Sequence, residues 1–185
     1  MADERRLRLI AGGHPEISIG AVKVVAAPES ASPFEADAVA FEEDTFLVLS
    51  ADTTVRDPGE PLMKILTDAH AAEPELPGSV VVREGRPLRI LAVVHDLGLD
   101  PTWREAWVAS ALGEMLIECE ARGLVTIAVP PLGARHGTLR LERFATLLGD
   151  ALRSTVPESV ERVWLVAPAE RCRSLIEILR LDQAD

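Results

Sequence analysis

Residues 124–130 read LVTIAVP, a run in which a single hydroxyl interrupts apolar side chains. A strand with one wet face alternates apolar and polar residues; a continuous apolar strand is one covered on both faces. The segments on either side of it have helical period. Before it, residues 101–122 place Val108, Leu112, Met115, Leu116 and Cys119 on one stripe, with Glu114, Glu118, Glu120 and Arg122 facing away. Gly123 then stands where a left-handed helix cap is expected. After it, residues 141–153 turn Leu141, Phe144, Ala145, Leu148 and Leu152 inward. An all-apolar strand set between amphipathic helices indicates a layered α/β fold with a mostly parallel sheet.

The remaining segments extend that pattern. Residues 160–167 (VERVWLVA) read as a strand, and Pro168 opens a last helix carrying Cys172, Leu175, Ile176 and Leu179. Upstream, residues 79–83 and 88–95 read as two strands joined through Glu84-Gly85-Arg86-Pro87. Residues 17–27 form a strand or strand pair broken at Gly20, while 38–41 and 46–51 are further strands. The acidic cluster Glu42, Glu43, Asp44 between these last two reads as a solvated turn. A helix is expected over 61–72, because Pro61 fits a first helical turn and Leu62, Ile65, Leu66 and Ala69 share a face. The first half is richer in strand, so the sheet is expected to be mixed.

The chain has 185 residues, 48% hydrophobic and 26% charged, with no repeat or linker. That reads as one domain over residues 1–185, too apolar to be a disordered chain. Thirty acidic residues against nineteen Lys and Arg give a formal charge of −11. This argues against nucleic-acid polymers and anionic membranes, whose phosphates need Lys and Arg. A small anion held by backbone N–H groups stays compatible with it, since that is a local effect. No stretch approaches the roughly 20 apolar residues of a membrane span, and residues 1–16 hold no signal-like apolar run. A cytoplasmic location is expected. Cys119 and Cys172 fall on apolar helix faces and read as reduced, buried thiols. No set of His, Cys, Asp or Glu has metal-ligand spacing, so neither metal nor cofactor is expected.

Ligands of open α/β sheets bind at the carboxyl ends of strands. Two strand-to-helix loops qualify. One is Pro130–Thr138 (PPLGARHGT); the other runs from Ser50 through Asp57-Pro58-Gly59. Glycines let a backbone aim its N–H groups at a phosphate and let the phosphate come close. A plain β–α turn has the same composition, so the loops alone leave both readings open.

Taken together, several segments resemble a macro domain, the ADP-ribose-binding module. They are PGSVVVREGRPL, RILAVVHDLG, EAWVASALGEMLIECEARGLVTIAVPPLG and GARHGTLRLERFATLLGDAL. In the second, Val93, Val94, His95 and Gly98 carry the likeness. Upstream, VLSADTT resembles the family's strand ending in Asn-Ala-Ala-Asn, with Asp52 at the last Asn, and PGEPLMKILTDAHAA resembles its glycine-rich loop and helix. Residues 1–45 match poorly and add strands and a loop.

The resemblance implies a three-layer α/β/α fold with a mixed, mostly parallel sheet. It implies ligand contacts from Gly59, Leu132, Gly133, Ala134, Arg135, His136 and Gly137. Asp52 would be the candidate catalytic base. Three functions follow from it: binding of ADP-ribose, an ADP-ribosylated protein or a related nucleotide derivative; a macro-like scaffold or interaction domain that has lost its ligand; and ADP-ribosyl hydrolysis. Departures from the pattern bear on the choice. Arg135 stands in place of a glycine, only Gly59 remains of a glycine run, and Glu60 and Pro61 follow it. Whether Arg135 and Glu60 line or block the cleft decides between the first two.

Overall fold

The computed structural model describes residues 13–49 and 73–182. Within them lie β1 (Glu16–Ile19), β2 (Val22–Ala27), β3 (Ala38–Asp44), β4 (Val80–Arg83), β5 (Leu88–His95), β6 (Thr126–Val129) and β7 (Arg162–Val166). The helices are α1 (Glu105–Ala121), α2 (Leu141–Thr155) and α3 (Cys172–Leu181). The strands form one sheet in the order β1-β2-β7-β6-β3-β5-β4. The five inner strands run parallel, and β1 and β4 close the two edges antiparallel. This is the mixed, mostly parallel sheet of a layered α/β/α fold.

Local chemistry explains the elements. The β1–β2 hairpin turns at Gly20, whose φ of +59° is open to glycine at little cost. Helix α1 buries Val108, Ala111, Leu112, Met115, Leu116 and Cys119. Its end is closed by Leu124 N–H donating to Cys119 O at 3.0 Å, across Gly123 at φ +62°. The helix begins at Glu105 rather than at residue 101 because the preceding stretch is tied to β5. Asp96 N–H donates to Thr102 O at 2.7 Å, and Trp103 bridges to His95.

One continuous core joins the inner faces of the three helices to the sheet, with Phe144 and Leu148 of α2 fully buried at its centre. On the opposite sheet face Ala27, Ala128 and Trp164 pack with Phe34, Ala36 and Val39. The Trp164 indole N–H is satisfied by Ala27 O at 2.9 Å. Strand β6 thus contributes Ile127 and Val129 to one core and Ala128 to the other, as its unbroken apolar run requires.

Both thiols are buried and free. Burial, followed by the nearby Glu118 charge, pushes Cys119 up to about 12, and burial also raises Cys172. Among the described residues no helix is long and apolar enough to cross a membrane. The helix expected over 61–72 lies outside the described residues.

The segment after Phe41 also differs from expectation. Residues 46–49 are not strand. Strand β3 instead continues through Glu42, Glu43 and Asp44, which are 8%, 0% and 0% exposed, and the chain turns at Leu47 with φ +55°. The acidic cluster is therefore buried strand and not a solvated turn. Pairing with β5 continues through Glu43, with a register shift before Asp44 pairs with His95. That pairing satisfies the backbone, and the carboxylates find donors of their own.

Candidate functional site

The topology marks one place on the sheet. After β3 the chain builds β4 and β5 on one side; after β6 it builds α2 and β7 on the other. Where neighbouring strands send their connections in opposite directions, a crevice opens at their carboxyl ends, and ligands of α/β sheets bind there. The pairing register agrees. Strand β3 pairs with β5 from Ala38 to Asp44, but with β6 only at Ala38 and Val39. The carboxyl half of β3 and the loop after β6 therefore face each other without a backbone ladder between them.

Glu42 reaches into this gap. Alternation along β3 puts it on the face of Ala38 and Ala40, which belong to the helix-covered core. Its Oε1 lies 2.5 Å from His95 Nε2 and accepts from His136 N–H at 3.0 Å, while Oε2 accepts from Arg135 N–H at 3.3 Å. A carboxylate only accepts, so Nε2 of His95 donates to it, while Nδ1 of the same ring lies 3.1 Å from the Thr102 hydroxyl. His95 is 1% exposed. The His136 ring stands edge-on to it, with centroids 6.3 Å apart. The result is a buried carboxylate held by three N–H groups from two elements, the pattern by which proteins hold anions.

Asp44, two residues further along β3, does separate work. Its Oδ1 accepts from Phe46 N–H at 2.7 Å, and its Oδ2 from Val48 and Leu49 N–H at 2.9 and 2.7 Å. Three amides of the following turn are gathered by one side chain, which explains how Leu47 holds its positive φ without a glycine.

The sequence-predicted residues of the second loop divide by burial. Leu132 is fully buried in the core and Gly133 is buried beside it; Ala134 and Gly137 are half-buried, and Arg135 and His136 are exposed. Ala134 N–H donates to Pro131 O at 3.2 Å, and Leu139 N–H to Gly133 O at 3.0 Å. Both glycines are explained by protein contacts. Gly133 has φ +76°, and a Cβ on Gly137 would lie 2.4 Å from Gly133 O and 2.7 Å from Trp103 Cδ1. Asp52, Gly59 and Glu60 lie outside the described residues. The acid at the carboxyl end of β3 is Asp44.

Glu42 and Thr102 were not singled out from the sequence. The available signal was the apolar run Ala38–Phe41 leading without a turn residue into Glu42. Charge led it to be read as a loop. His95 has both ring nitrogens occupied, by Glu42 and Thr102.

No family model matches the sequence, and no curated protein matches it. Solved structures do. The Oceanobacillus iheyensis macrodomain with ADP superposes with a TM-score of 0.68 at 14% identity, over 93% of this chain and 97% of that one. A point variant of the same macrodomain with ADPR gives 0.70 at 14% identity, over 94% and 100%. The macrodomain of Thermus aquaticus DarG gives 0.60 at 17% identity, over 78% and 98%. Likeness at this identity is likeness of architecture, and together with the sheet order it shows that the chain has the fold of a macro domain.

Proposed function

We propose that this chain is a divergent macro domain that binds ADP-ribose or a related nucleotide derivative in the crevice between β3 and the loop 130–138. The observation that carries the reading is the convergence of Arg135 and His136 N–H on a single anionic group at the sheet's switch point. A loop that collects an anion there is a suitable receptor for a phosphate. Structural neighbours solved with ADP and ADPR support the ligand class.

The group collected is the chain's own Glu42, and this favours a second reading, a macro-like scaffold that has lost its ligand. Magnitudes separate the two. Micromolar binding corresponds to about 8 kcal/mol. A phosphate charge brought to about 4 Å from a carboxylate loses about 4 kcal/mol at an effective dielectric near 20. With Glu42 in place, the affinity is expected to be weaker than micromolar. Isothermal titration of the native chain with ADP-ribose, ADP and NAD tests the choice. Saturable heat with ADP-ribose supports the binding module; flat titrations with all three establish the scaffold.

A further inference from the structure

We infer that the Glu42 carboxylate is a resident anion that sets how much phosphate charge this crevice accepts, making Glu42 the residue that determines specificity. The inference rests on the loop 130–138 being the ligand site. It adds that the site is self-occupied, and by which atoms.

Three observations carry it. Glu42 is 8% exposed in the middle of a sheet whose neighbouring positions Ala38 and Ala40 are core. A carboxylate buried there is unfavourable unless its oxygens are well provided with donors. Both oxygens are: Oε1 by His95 Nε2 and His136 N–H, Oε2 by Arg135 N–H. Two of these donors are backbone amides of the loop that would face a ligand's phosphate. Each N–H serves one acceptor well, so an incoming phosphate oxygen must replace Glu42 on the same hydrogens while meeting its negative charge. His95 is fixed from its far side by Thr102, which keeps the carboxylate anchored on β5 as well as on the loop. A purely structural Glu42 would share the contacts. It would not predict that removing the charge creates anion binding.

The test compares the native chain with Glu42→Gln, which keeps the shape and removes the charge, and Glu42→Ala, which also opens space. Each chain is first shown to melt cooperatively, then titrated calorimetrically with inorganic pyrophosphate and with ADP-ribose. The expected result is a tenfold or greater gain in pyrophosphate affinity for Glu42→Gln, and at least as much for Glu42→Ala if it folds. Equal or weaker pyrophosphate binding in Glu42→Gln overturns the inference. A measurement on the native chain is independent of any variant: the Arg135 and His136 amide resonances should stay in place at micromolar pyrophosphate, and their saturable displacement there overturns the inference. A gain with pyrophosphate but none with ADP-ribose upholds the resident anion and removes the ADP-ribose reading. Micromolar binding of ADP-ribose by the native chain does the reverse.

Discussion

An acid at the end of a buried strand is stable only where donors replace the water it gives up, and Asp44 meets that condition through the amides of Phe46, Val48 and Leu49. Replacing Asp44 by Ala removes a charged acceptor from three N–H groups at once. The expected loss is about 1.5–3 kcal/mol, since water replaces part of the bonding at this partly open turn. Urea denaturation measures it, and Asp44→Asn, whose amide oxygen still accepts, should lose less. Residue by residue, the chain disclosed its core more readily than its site. Phe144, Leu148 and Met115 were legible because helical period alone fixes which way they point. Glu42 was not, because the same side chain is usual on a solvated turn, and its burial depends on His95, 53 positions along the chain.

At the scale of elements, the start of β3 is clasped to β6. The Asp37 carboxylate accepts from Val125 N–H at 3.0 Å and Thr126 N–H at 2.8 Å, and Asp37 N–H donates to Thr126 Oγ1 at 2.9 Å. Burial pulls the Asp37 carboxyl upward, but the bonds from Thr126 and Val125 outweigh it, and the group sits below its ordinary value. A depressed folded value means that Asp37 stabilises the fold above its unfolded pKa of about 3.9, and that the contribution fades as pH falls through the lower folded value. Asp37→Asn should therefore be less stable than the native chain at neutral pH. The gap should narrow as pH falls below about 4, as followed by denaturant midpoints at successively lower pH. Strand β5 and the start of α2 were legible to the residue, because turn residues bracket the former and the inward stripe sets the latter. The end of β3 was missed because ladder pairing with β5, rather than side-chain polarity, decides how far a strand runs.

For the whole molecule, the charge of −11 acts against any anionic ligand. Loop amides attract it only at short range, whereas the surface repels it over a Debye length that shrinks with salt. The affinity of the chain for ADP-ribose, or of Glu42→Gln for pyrophosphate, should thus rise modestly between about 0.02 M and about 0.2 M salt. That is opposite in sign to a phosphate site built from Lys and Arg, and calorimetry at the two ionic strengths reads it directly. The same net charge left the local question open, because a sum over the chain says nothing about where three N–H groups converge.

By itself, the amino-acid order determined the layered architecture. Helical period over 101–122 and 141–153, with the apolar run at 124–130 between them, specifies which faces must be covered, and covering them leaves few arrangements. Only the tertiary structure decided what fills the crevice. Whether Arg135 and His136 offer their amides to a ligand or to Glu42 depends on two side chains and a loop backbone, from three separate segments, meeting at a switch point. Contacts of that kind are fixed by the closing of the sheet, a long-range event that leaves no periodicity in the chain.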